Sequence, residues 1–249
     1  MRRPASFPSL LLAAALLLAG GPPARPAEAG IRVDAAFLLH TDGDGEALAA
    51  GLQVPGCGED RREAGRWCAA ALAAARDFLA GEDIVLRQVG VDRWRRPLVV
   101  PERPGGEDLQ TRLLRAGLAF VDPAAGPAAD VRRWFAAERE ARAGRTGIWG
   151  EDGLAPLAAG RVRSGPVRFR PVCGEVRRAA STRFRVYLEF GADPRRDFTV
   201  RMAPATARAA ALRDPRRLAG REICVRGWIF ESRGPMIEVV DPSQLEPAP

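Results

Sequence analysis

Lysine is absent from this chain of 249 residues, and histidine occurs once. Arginine therefore supplies all the side-chain basic charge. Alongside abundant alanine, glycine and proline, that absence reads as a coding bias, so arginine richness alone says little about partners. The single histidine, His40, rules out a Cys2His2 zinc site, and no CxxC pair exists, so a structural zinc is not expected. His40 also lacks a serine or cysteine partner that would make a hydrolase triad. No internal repeat is evident. Beyond residue 20 no apolar run is long enough for a membrane span.

The start of the chain carries an export pattern. Arg2 and Arg3 precede the apolar run SLLLAAALLLAG (9–20), and Ala27-Glu28-Ala29 offers a small-residue cleavage pattern. Residues 1–29 are expected to be a signal peptide, and the mature chain to be exported, periplasmic or secreted. No cysteine follows the run closely, which argues against lipid attachment. Charge is unevenly spread over the remainder. Residues 30–160 hold 17 arginines against 20 acids, a net of −3, and residues 161–249 hold 18 against 10, a net of +8. A polyanion would be drawn to the second half; the competing reading is a solvated, arginine-biased surface. Four cysteines in an exported chain favour disulfides. Cys57 and Cys68 lie close together in the first half and Cys173 and Cys224 both in the second, which points to those two pairings.

Alternation and periodicity predict strands over 31–39, 47–54, 84–91 and from Pro97 to Val100, and helices over 60–80, 106–121 and 130–142. Cys68, Leu72, Ala75 and Leu79 share one face of the first helix. Val131, Trp134 and Phe135 face inward on the third. Trp67, Trp134 and Trp149 read as core anchors. A Gly-, Ala- and Pro-rich stretch, 151–165, reads as a linker. Beyond it FRPVCGEVRR, FRVYLEF, DFTVRMA, REICVRGWIF and MIEVV read as strands, with a short helix over 205–212 between them. Five strands and one helix suit a small OB-type barrel over 166–246. The fold class expected is α+β, mainly β, with two tandem small barrels.

Three stretches in order, DRWRRPLVV, GEDLQTRLLRAGLAFV and AEREARAGRTGIW, resemble the thermonuclease (staphylococcal-nuclease-like) family. The resemblance runs from about Ile31 to Gly150 and implies an OB barrel with three helices over 30–150. Residues 166–246 resemble the small barrel that follows this domain in some bacterial members. In the family, two aspartates hold calcium, two arginines stabilise the attacked phosphate and a glutamate positions water. Spacing excludes Asp42-Gly43-Asp44 as the aspartate run, because the residues up to Pro55 are too few for an outbound strand, a turn and a return. In the better register Asp34–Phe37 takes that place. Ala36 and Gln53 then stand where metal aspartates belong, Leu48 replaces the first arginine and Gly56 the glutamate. Arg96 alone matches a catalytic position, and Trp94 sits at a tyrosine position where it would cover the remnant pocket. Asp122-Pro123-Ala124-Ala125 replaces the tyrosines that often stack on a base.

The resemblance therefore implies a degraded catalytic set: no metal, no cofactor, and non-catalytic binding of single-stranded nucleic acid or of an envelope protein. HTDGDGE reads as a hairpin turn, since Asp-Gly is a strong turn signal. The alternative is a calcium loop of Asp42, Asp44 and Glu46, with Glu59 and Asp60 able to replace a lost carboxylate, in an active metal-dependent nuclease. Arg168, Arg170, Arg183 and Arg185 are the candidate nucleic-acid contacts. Phe169, Tyr187, Phe190, Phe198 and Trp228 are possible stacking partners whose simpler role is core packing.

Overall fold

The structure is a computed structural model that describes residues 30–41, 45–57, 61–80, 83–151, 153–154, 156–212 and 214–247. The expected signal peptide, Asp42, Asp44, Glu59 and Asp60 lie outside the described residues. The first half contains β1 (Arg32–Val33), β2 (Leu38–Thr41), β3 (Gly45–Ala49), β4 (Leu52–Gln53), α1 (Arg61–Leu79), β5 (Val85–Val91), β6 (Pro97–Glu102), α2 (Leu109–Arg115), β7 (Phe120–Val121) and α3 (Ala128–Ala143). Five strands form one sheet in the order β1-β2-β3-β6-β5, and β4 pairs separately with β7.

Two sequence expectations fail here for local reasons. Residues 31–39 are not one strand. Asp34 folds them into a tight turn, its Oδ1 accepting hydrogen bonds from the backbone N–H of Ala36 and Leu38 at 2.8 and 2.9 Å. Val33 then pairs with Leu39 across antiparallel β1 and β2. Aspartate favours such turns because its carboxylate can bond the backbone ahead of it. Residues 47–54 also break, at Gly51, which has φ +64°. A Cβ there would run into the Trp134 ring, so packing the tryptophan requires glycine and redirects the chain. The histidine segment behaves as read. β2 and β3 are antiparallel, with Thr41 opposite Gly45 on either side of residues 42–44.

The helices bury the predicted faces. Cys68, Leu72, Ala75 and Leu79 are all buried, and Cys57–Cys68 is a disulfide that ties the loop after β4 to α1. Helix α2 is shorter than 106–121 because Asp108 caps it, accepting from the Thr111 N–H, while Gly105 and Gly106, both at positive φ, make the preceding turn. Trp134 donates its indole N–H to the same Asp108 at 3.2 Å. Trp134 is wholly buried and Trp149 nearly so, whereas Trp67 and Phe135 are partly buried.

The second half contains β8 (Leu157–Ala158), β9 (Arg168–Glu175), β10 (Arg178–Ser181), β11 (Val186–Glu189), β12 (Thr199–Met202), α4 (Pro204–Ala209), β13 (Glu222–Glu231), β14 (Pro235–Val239) and β15 (Leu245–Pro247). The sheet runs β10-β11-β12-β14-β13-β9-β8, with β15 added on β13. Strands β11 and β12 form an antiparallel hairpin. Cys173 lies opposite Cys224 in the β9–β13 ladder, and the two are bonded. The end of the stretch read as a linker is built into this sheet: β8 pairs with β9, and Ala159 and Val162 are buried in its core. Of the two small barrels expected, the first half has a mixed sheet with helices in a nuclease-like α+β arrangement. The second sheet curls into an open half-barrel, and among the described residues neither sheet closes, because the end strands of each have no second partner. Strand β13 runs unbroken through Gly227. Glycine is needed there because a Cβ would lie 2.7 Å from Ile237 Cγ2.

The halves share a buried contact. Phe120, Ile148 and Trp149 from the first half cluster with Phe169 of β9. Phe120 meets Trp149 edge-on at 5.3 Å, and Phe169 meets Trp228 edge-on at 5.7 Å. Beside them the fully buried Arg226 of β13 donates to both Glu138 carboxylate oxygens at 2.8 and 2.9 Å, to the Val121 carbonyl at 3.1 Å, and to Glu246 at 2.6 Å. Burial pushes this guanidinium's pKa down, but Glu138 and Glu246 hold it above the ordinary arginine value. A buried cation is tolerable because every side of it meets an acceptor.

Candidate functional site

Arg96 enters from the β5–β6 hairpin. The turn between these strands is organised by Asp92. Its Oδ1 accepts from the backbone N–H of Trp94 and Arg96, each at 2.8 Å, and its Oδ2 accepts from Arg96 Nε at 2.9 Å. Arg96 Nη2 lies 2.8 Å from the same carboxylate. Burial pushes the Asp92 carboxyl up, but the hydrogen bonds from Arg96 and Trp94 hold it below the usual aspartate value. Arg96 also lies over the Trp94 ring at 5.1 Å, with Arg93 closer at 3.8 Å. Trp94 is 61% exposed, so it lies open to solvent with two guanidiniums against its ring. Arg96 is thus engaged by its own turn.

The remaining register positions supply little for cation binding. Ala36 sits in the Asp34 turn, and both Asp34 oxygens are occupied, Oδ2 by His40 Nε2 at 3.1 Å. Burial pushes the Asp34 carboxyl up, but bonds from Leu38, His40 and Ala36 bring it below its ordinary value. His40 is therefore a strand residue closing a turn. Leu48 lies in β3 opposite Leu38. Gln53 donates its amide to Asp122 Oδ2 at 3.0 Å. Asp122 is buried, and burial raises its pKa, against the lowering bonds from Gln53 and Ala124 and the charge of Arg226. Glu46 is exposed, in β3. Among the described residues no group of three or more His, Cys, Asp or Glu is placed to hold a metal ion.

The four candidate nucleic-acid arginines are not brought together. Arg183 and Arg185 flank the turn between β10 and β11, where Arg183 lies over the Phe184 ring at 5.3 Å and Phe184 is 67% exposed. Arg168 and Arg170 lie on β9, near the other end of the strand order. They line a cleft of about 350 Å³ with Arg161 and Arg163 and with Leu157, Ser164, Gly165 and Pro166. Arg170 is nearly buried. Arg161 and Arg163 were hidden from sequence reasoning by the linker assignment. The alternating arginines of RVRSGPVRFR were the signal available. Of the aromatic candidates, Phe169, Phe190 and Phe198 are buried in core, Tyr187 is partly buried, and Trp228 keeps about half its surface exposed.

Residues 50–151 match the model of the staphylococcal nuclease homologue family, so a staphylococcal-nuclease-like domain is present there. The match begins at Ala50, which leaves β1–β3 outside it and Gln53 and Arg96 inside. No curated protein matches the chain. Among solved structures, the extended Tudor domain of Drosophila melanogaster Tudor-SN (p100) is similar at 20% identity over 42% of this chain, with a TM-score of 0.35. The chain matches 47%, about half, of that structure's own length.

Proposed function

We propose, starting from the staphylococcal-nuclease-like domain over residues 50–151, that the protein is an exported bacterial relative of thermonucleases that binds single-stranded nucleic acid without cleaving it. Its parts in this reading are a signal peptide at 1–29, the nuclease-like unit at 30–150, a connection starting at 151 whose end, from Leu157, joins the second sheet, and an OB-derived unit running to 246 that carries the binding. The observation that carries the reading is the state of Arg96, paired with Asp92 at 2.8 Å, while the family's metal positions hold Ala36 and Gln53. Calcium needs several oxygen ligands, and a carboxamide already bonded to Asp122 is a poor substitute for a carboxylate. The excess of arginine over acid in residues 161–249 supplies attraction for phosphates.

The test uses purified protein incubated with single-stranded and duplex DNA in calcium. The expected outcome is binding of single-stranded DNA that weakens steeply with salt, and no cleavage. Cleavage that stops on adding a chelator would reject the reading in favour of an active nuclease with displaced carboxylates. Intact DNA without binding would favour an envelope-protein partner.

A further inference from the structure

The cleft beside β8 and β9 is where arginine charge collects without acid. Among the described residues its lining contains four arginines and no aspartate or glutamate. Arg161, Arg163 and Arg168 have no carboxylate partner among the described residues. They contrast with Arg87, Arg96, Arg112, Arg142, Arg178, Arg201 and Arg226, each of which is salt-bridged. Two of the three are nonetheless held in place. Arg163 Nη1 donates to the carbonyls of Gly160 and Val162 at 2.8 and 2.9 Å. Arg168 donates to the Pro166 carbonyl at 3.2 Å and the Arg163 carbonyl at 3.4 Å. Carbonyl bonds orient a guanidinium but leave its full charge in place, unlike a carboxylate. The loop is shaped for this. Gly165 lets the Arg168 guanidinium lie over the backbone, since a Cβ at Gly165 would sit 3.2 Å from Arg168 Nη1.

Alternation along β9 explains the direction of two of these side chains. Val172 of β9 is buried in the core of the half-barrel, so Arg170 and Arg168 point to that same inner face. Phe169 points to the opposite face, into the contact with Phe120. Opposite Arg170 in the ladder is Gly227, which adds no side chain to that face. The inner face therefore changes from aliphatic to arginine at one end, and the segment 161–163 closes over it. The resulting volume, about 350 Å³, lies at the small end of the range for ligand pockets, roughly 300–1,000 Å³.

We propose that this cleft, framed by Arg161, Arg163 and Arg168, is a phosphate-binding site. Planar guanidiniums match phosphate oxygens in geometry as well as charge, and three of them lining one small volume, two of them held, suit one or two phosphate groups better than a carboxylate. The phosphates could belong to a nucleic-acid strand or to a small phosphorylated molecule. The first source rests on the function proposed above, and the site itself does not.

The experiment measures binding of fluorescein-labelled (dT)20 by anisotropy and of pyrophosphate by calorimetry. It compares the full chain with Arg161→Ser/Arg168→Ser and with a charge-matched control, Arg183→Ser/Arg185→Ser. Arg161→Ser alone, at an exposed position, serves if the double variant does not fold. The cleft variant is expected to weaken (dT)20 binding at least tenfold. It should also flatten the salt dependence by about 1.4 in log–log slope, two phosphate contacts at about 0.7 each. Its pyrophosphate binding should be lost, and the control should change much less. If pyrophosphate binding survives in the cleft variant, or falls equally in the control, the site is wrong; if only (dT)20 binding survives there, the site stands for a small phosphorylated molecule and the strand binds elsewhere. If pyrophosphate binds and (dT)20 does not, the site stands and the nucleic-acid reading fails. If neither probe binds, both are overturned.

Discussion

Asp122 shows how one side chain takes a different role when its surroundings change. It is buried, accepting from Gln53 and from the Ala124 N–H. Its pKa is raised, by burial first, against the opposing pull of Gln53, Ala124 and Arg226. A carboxyl whose folded pKa exceeds its unfolded value, about 3.9, stabilises the fold fully below that value and loses the contribution as pH rises through the folded one. Asp122→Asn can still accept from Gln53 and never ionises. The variant is expected to be more stable than the parent at pH 7, with the gain vanishing towards pH 3. Urea midpoints of both proteins between pH 3 and 8 check this, and a constant difference across the range would contradict it. Asp92 is the opposite case, since its low pKa comes from bonds within its own turn. It matters because it occupies Arg96, the arginine on which the proposed loss of cleavage rests.

Among the elements, β9 and β13 bear most of the second half. They pair over eight residues, from Glu222↔Glu175 to Ile229↔Arg168, and are cross-linked at Cys173–Cys224. The bridge closes a sequence separation of 51 residues, a long loop in the unfolded chain, so its entropic contribution is large. Replacing both cysteines by serine is expected to lower stability by about 2–5 kcal/mol, measured by guanidinium denaturation under non-reducing conditions. A change below about 0.5 kcal/mol would mean that the ladder is held without it. The short helix α2 makes a related point. Leu109, Leu113 and Leu114 form its buried face, and its start is set by Asp108, whose carboxylate caps the helix and holds the Trp134 indole as well.

For the whole molecule, the decisive feature is the seam between the halves. Arg226 comes from β13, Glu138 from α3, the Val121 carbonyl from β7 and Glu246 from β15. Removing one partner of a buried, hydrogen-bonded pair leaves an uncompensated charge, at about 3–5 kcal/mol. Arg226→Met should cost that much and should uncouple the halves, turning a single unfolding transition into two when tryptophan fluorescence and far-UV dichroism are compared. One coincident transition with unchanged midpoint would show that the aromatic cluster of Phe120, Trp149 and Phe169 suffices alone.

Helix faces, several strands, both disulfides, the hairpin around HTDGDGE and the thermonuclease resemblance were legible in the sequence, because each depends on residues near one another in the chain or on a short motif. Periodicity marks a buried face whatever it packs against. The split of 31–39 was less visible, since a turn made by one aspartate looks like any polar residue in a strand. Sheet closure, the Arg226 seam and the gathering of Arg161 and Arg163 with Arg168 were decided only by the tertiary structure. Each joins residues from separate strands or loops, and nothing in local spacing records which arginine will meet a glutamate and which will be left facing a cleft.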